Sequence, residues 1–138
     1  MANFSPYLRT LMLRKVYTPD MFPMAPGDGA LQVALTFDIP LVNADVADLS
    51  EPVGGNYSRV GYTMTSDYWD DNGFGDLTNT DTIFFPVVTA LWGRIAGWAL
   101  IDPAVNQIQV VGELLNPFIT KIGMIPTIDS GVITLGIR

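Results

Sequence analysis

The chain has 138 residues and contains neither cysteine nor histidine. Without cysteine there is no disulfide framework, no thiolate metal site and no thiol nucleophile. Without histidine the commonest general base and the commonest transition-metal ligand are missing too. Charge is scarce: 15% of the residues are charged, against about 25% in an ordinary soluble domain. Long hydrophobic runs are also lacking, since none reaches the roughly 18 residues of a membrane span. The first six residues lack a basic region leading into an apolar stretch, so no signal peptide is expected. Seven Lys and Arg stand against fourteen Asp and Glu, a net charge of −7, which argues against a nucleic-acid groove.

What the chain does have is apolar surface. Hydrophobic residues make up 49% and the mean hydropathy is +0.30. Such an excess belongs in a core or against other proteins, because left free it aggregates. The length fits one domain over 1–138, and a chain of this size can bury about 68–70% of its unfolded surface.

The negative charge is local. Residues 1–37 carry Arg9, Arg14 and Lys15 against Asp20 and Asp28, a net of +1. Residues 38–81 carry nine acids and one base, Arg59, a net of −8, and residues 82–138 are neutral overall. The plain reading of the middle third is a set of solvated acidic loops.

The spacing predicts a short helix over about 5–16. Ser5 suits the N-cap and Pro6 the first helical position. Tyr7, Leu8, Leu11, Met12 and Val16 then share a face, and Arg14 and Lys15 fall in the last turn, where the dipole favours cations. Residues 17–30 hold Pro19, Pro23, Pro26, Gly27 and Gly29 and read as a loop. Its apolar side chains, Tyr17, Met21, Phe22 and Met24, are either tucked onto the domain or reserved for a partner.

From residue 31 the pattern is β. Leu31, Val33, Leu35 and Phe37 alternate with Gln32, Ala34 and Thr36. Tyr57 to Thr65, Thr82 to Phe85, and the almost wholly apolar Arg94 to Ile101 are further strands. Asp102 and Pro103 open a turn, and the strand from Ile108 to Glu113 returns from it. Ile119 to Met124 is ambiguous, and Val132 to Ile137 forms the last strand. The expected fold is mainly β: an antiparallel sandwich or barrel-like domain over 31–138, with a short N-terminal helix and long loops. The loops at 38–56 and 66–81 hold most of the acids, and loops of that length in a compact domain are usually functional.

The residues select no reaction. Asp67, Asp70, Asp71 and Asp76 are the densest carboxylates, but their spacing does not match an EF-hand, so no metal is assigned. Gly54-Gly55-Asn56 lacks the ending of a phosphate loop and reads as a tight turn. Ser58, Ser66 and Ser130 have no histidine to activate them. Trp98 lies in an apolar strand and belongs to the core, as aromatics in β domains usually do. Trp69 sits among acids and is a candidate contact residue.

Several segments share an order with a known group. They are Leu49-Ser50-Glu51-Pro52-Val53-Gly54-Gly55-Asn56-Tyr57-Ser58-Arg59-Val60, then Phe85-Pro86-Val87-Val88-Thr89-Ala90-Leu91-Trp92-Gly93, then Trp98-Ala99-Leu100-Ile101-Asp102 and Gly112-Glu113-Leu114. Together they resemble a family of small tailed-bacteriophage virion proteins, of the kind labelled tail fibre or minor structural protein. The chain departs from that pattern after Asp102, where the turn lacks glycines, and after Gly123, where an acid is missing. The resemblance implies a non-enzymatic role in a virus particle with no cofactor. A capsid cement or decoration protein bridging capsomers is the first expectation. A tail-fibre or tail-tip component, with glycan binding through Trp69, is the alternative. The implied partners are the major capsid protein or other virion proteins and further copies of the chain, with no nucleic acid and no membrane. A trimer would suit threefold capsid seams. The implied location is the virion, assembled in the host bacterial cytoplasm. Tyr17, Met21, Phe22, Met24 and Trp69 are the expected contacts. Tyr57, Arg59, Trp92, Trp98 and Asp102 are the expected fold determinants, with Arg59 paired to a nearby carboxylate.

Overall fold

The computed structural model describes residues 3–6, 30–41, 43–63, 69–71 and 76–136. The helix expected over 5–16 and the loop with Tyr17, Met21, Phe22 and Met24 lie outside these residues, save Ser5, Pro6 and Ala30. The fold is mainly β and its sheets are antiparallel.

The largest sheet has five strands in the order β1-β8-β7-β2-β3. These are β1 (Asn3–Phe4), β2 (Ala30–Thr36), β3 (Val60–Thr63), β7 (Arg94–Asp102) and β8 (Gln107–Ile119). A second sheet, ordered β10-β5-β4, joins β4 (Trp69–Asp71), β5 (Asp76–Asn79) and β10 (Thr134–Gly136). A ribbon pairs β6 (Ile83–Phe84) with β9 (Thr127–Ile128).

The five-stranded sheet is covered on both faces, and strand alternation decides which side chain goes where. Leu31, Val33, Leu35, Trp98, Leu100 and Val110 point to one face and pack with Ile83, Phe85 and Ile128 of the ribbon and its flank. Ala34, Ala99, Ile101, Ile108 and Val111 point to the other and meet Ala44, Val46 and Leu49. The latter three come from the 38–50 segment, which holds a single 3₁₀ turn at Val46–Asp48. Residues 38–41 and 43–50 thus lie over one face and the ribbon over the other. This double cover is why β7 reads as a continuous apolar run rather than an alternating one.

Two irregularities shape the β7–β8 hairpin. Leu100 faces Val110 but Ile101 faces Ile108, so Gln109 is an extra residue in the ladder. Its carbonyl accepts the Ser5 N–H at 2.9 Å, which fastens the N-terminal strand. Further along, Gly97 faces Glu113 and Ile95 faces Phe118, so 114–117 stand against Ala96 alone. The wide bulge accommodates Pro117, which has no N–H to offer a ladder, and leaves Leu115 exposed.

The strands differ from the sequence expectation in places. Tyr57, Ser58 and Arg59 precede β3 instead of starting it. The expected acidic loop at 66–81 contains β4 and β5, so Trp69 opens a strand, with Asn79 as its register partner. Asp and Asn are poor strand formers, so this hairpin leaves little propensity signal; pairing with β10 stabilises it instead.

Glycine marks one close approach. A side chain on Gly112 would fall inside the Trp98 indole opposite it in the ladder. Gly112→Ala should therefore lower the unfolding free energy by about 1–3 kcal/mol, the usual cost of overpacking. Gly61→Ala, whose new methyl meets only the Leu31 carbonyl at 3.9 Å, should change it by less than about 0.5 kcal/mol. Chemical denaturation of both variants checks the pair.

Candidate functional site

Three features could carry function: a polar network at Tyr57, an acidic cleft at 38–50, and an apolar surface at 84–91 and 122–125.

The network begins with a gap in the sheet. β3 pairs with β2 only as far as Val33–Val60. Beyond that point the Leu35 N–H has no strand partner on that side and donates instead to the Tyr57 hydroxyl at 3.0 Å. The hydroxyl in turn donates to Glu51 Oε1 at 2.8 Å. Arg59 closes on the same carboxylate with both arms, Nε to Oε1 at 2.9 Å and Nη2 to Oε2 at 2.7 Å. This bidentate fork is the strong form of the Arg–carboxylate pair. The next donor on this edge, the Phe37 N–H just past β2, bonds to the Ser50 carbonyl at 2.9 Å. A side chain and a loop thus continue the work of β3.

The Tyr57 ring stands edge-on to Trp92, 5.1 Å between centroids and 82° between planes. The Trp92 indole N–H donates to the Gly55 carbonyl at 2.8 Å. Gly55 has φ +58°, and a Cβ there would strike the Ala90 carbonyl and come within 2.9 Å of the Trp92 ring. Asn56, at φ 69°, donates from its side chain to the Val87 carbonyl at 3.0 Å. The Gly-Gly-Asn turn is therefore a clamp between the 51–59 and 85–93 segments.

The chemistry of this network is structural. Burial pushes the Tyr57 hydroxyl well above the usual tyrosine range, and the Glu51 carboxylate pushes it further. The hydrogen bond to Glu51 raises Arg59 as well. A hydroxyl that holds its proton so firmly neither gives nor takes one near neutral pH.

The cleft has a volume of about 430 Å³ and is lined by 38–41, Asn43, Ala44 and Asp48 to Ser50. Asp38, Asp45 and Asp48 are exposed, as are Ile39 at 54% and Leu41 at 73%. The loop passes so close over Gly97 that a Cβ there would lie 2.7 Å from the Asp38 carbonyl.

The apolar surface lies on the ribbon side. Ile83 and Phe85 face the core, so Phe84 between them faces solvent. Ribbon pairing continues past β6 and β9. Phe85 donates to Pro126, Val88 to Met124, and Gly123 back to Val88, all at 2.8–2.9 Å. Thr120 ties the far end, its hydroxyl accepting the Trp92 N–H at 2.9 Å and the Gly93 N–H at 3.0 Å. Along these two adjoining segments Phe84, Val87, Leu91, Ile122 and Ile125 are exposed. Residues 82–93 contain no charge, and the nearest cations, Arg94 and Lys121, are exposed at the border.

The remaining residues singled out from sequence are scattered. Trp98 is buried in the core. Asp102 is buried at the hairpin turn, where Oδ1 accepts the Ala104 N–H at 3.0 Å. Trp69, Asp70 and Asp71 form β4 and Asp76 opens β5, while Asp67 lies outside the described residues. Among the described residues no three carboxylates come together as a metal site, and no helix is long and apolar enough to cross a membrane. Two buried polar residues carry no sequence signal, Thr120 and Asn79. The Asn79 side chain donates to the Asp81 and Asp129 carbonyls at 2.9 and 3.0 Å and accepts the Ile133 N–H at 2.9 Å.

No model of a known protein family matches the chain, and no curated protein matches it.

Tyr57→Phe removes the acceptor for the Leu35 N–H and should cost about 1–3 kcal/mol at neutral pH. The wild-type hydroxyl titrates higher folded than unfolded, so its contribution is complete below about pH 10 and is lost as pH rises beyond it. The stability gap between wild type and Tyr57→Phe should accordingly narrow above about pH 10 in denaturation curves. A gap that stays constant to pH 12 would contradict the assignment.

Proposed function

We propose that the protein is a non-enzymatic structural component of a tailed-bacteriophage particle, a capsid cement or decoration protein that bridges capsomers. The observation that carries the reading is the exposed, charge-free apolar surface of 84–91 and 122–125. Permanent interfaces are larger and more apolar than transient ones, with charge moved to the rim. Arg94 and Lys121 stand at one end of this surface and Asp81 and Asp129 at the other.

Two further observations support it. The Tyr57-x-Arg59 and Trp92-Gly93 segments, on which the resemblance to phage virion proteins rests, meet in one network that holds the sheet, the loop and the ribbon in register. In that network every polar group of Tyr57, Glu51 and Trp92 named above has a partner, which suits a structural role. Binding only the assembled lattice, such a protein stabilises it by mass action, in proportion to the contacts each copy makes.

Copy number tests the reading. Quantitative protein analysis of purified particles should find hundreds of copies per virion, bound to the major capsid protein. A count between a few and a few dozen, or recovery with isolated tails, would overturn the cement assignment.

A further inference from the structure

We propose that the apolar surface at 84–94 and 121–125 docks, by its Arg94–Lys121 end, onto the acidic 38–50 loop of a second copy of this chain, in a head-to-tail contact. The inference deepens the reading of the protein as part of an assembly, and rests on it for its biological setting alone.

Three observations select a second copy as the occupant. The first is charge. The apolar surface carries Arg94 and Lys121 at one end, exposed and without an ion pair among the described residues, and the exposed Asp81 and Asp129 at its other, Phe84 end. The 38–50 segment carries Asp38, Asp45 and Asp48 and no base. Its exposed Ile39 and Leu41 give it an apolar centre of its own. The Arg94–Lys121 end supplies the cations that the acidic loop lacks.

The second is placement. The loop covers the Ala34, Ala99 and Val111 face of the five-stranded sheet. The ribbon covers the Leu35, Trp98 and Leu100 face. Lying over opposite faces, the two surfaces are presented to different neighbours. The contact is therefore heterologous, and repeats of it close a ring or extend a filament.

The third is area. Phe84, Val87, Leu91, Ile122 and Ile125 are between 41% and 69% exposed. At about 100–120 Å² of apolar surface for each large side chain, these five expose on the order of 300–400 Å². That equals the largest apolar patch of a typical monomer, which is often functional. With a polar rim it makes the centre of an interface of about 800 Å² per partner.

The test is self-association of the full chain, by sedimentation velocity across concentration. Wild type should be oligomeric, and more weakly so as salt rises. Arg94→Glu/Lys121→Glu and Asp38→Lys/Asp48→Lys should each weaken association at least tenfold, with circular dichroism unchanged. Mixing the two variants should restore it, because each retains one native surface and the reversed charges match. A monomeric wild type overturns the proposal. So does loss of association in the Arg94/Lys121 variant alone, since that result describes a symmetric apolar contact. A low copy number in virions would overturn the cement reading and leave this contact standing.

Discussion

The arrangement depends on a strand edge that runs out of partners. β3 leaves β2 after Val33, while β2 continues for three residues into the centre of the molecule. An unpaired backbone N–H buried there is costly, and the Tyr57 hydroxyl removes that cost for Leu35. Because the same hydroxyl must also donate a hydrogen bond, it brings Glu51 with it, and Glu51 brings Arg59. The ring then sets Trp92, and Trp92 sets the Gly55 turn. One missing ladder bond thus accounts for the acidic, glycine-turn and Tyr-x-Arg segment as a unit. It also accounts for the Trp-Gly segment 33 residues after Arg59.

Much of the fold was legible because alternation and apolar runs record burial directly. β2 shows period two, and β7 shows the unbroken run of a strand covered on both faces. Asp102 announces the turn between β7 and β8. The β4–β5 hairpin was not legible, because its Asp and Asn residues signal loops and its stability comes from pairing with β10. Asn79 was invisible for a related reason. Its side chain bonds to Asp129 and Ile133, 50 and 54 residues away, and a lone asparagine carries no mark of such distant partners.

The candidate site was legible only as a quantity. Mean hydropathy indicated too much apolar surface for the core, but not where the excess sits. Phe84 and Phe85 are equivalent in sequence, yet Phe85 is 3% exposed and Phe84 64%. Strand alternation across a two-residue ribbon decides between them, and a ribbon that short has no readable period. The charge-free run at 82–93 was the available signal, since a surface left without charge is one that water is not meant to keep. The expected contact residues Tyr17, Met21, Phe22 and Met24 lie outside the described structure, and Trp69 belongs to a strand.

Charge segregation along the chain becomes segregation in space through topology. Residues 38–50 leave β2 at its end and cross one face of the sheet. Residues 82–93 enter β7 from the opposite face. β2 and β7 are neighbours in the sheet, so the chain places its acidic 38–50 loop and its charge-free 82–93 stretch on opposite sides of a single layer. In the proposed contact the acidic face of one copy meets the apolar face of the next. A contact between unlike faces also resists one mispairing, since two acidic faces repel.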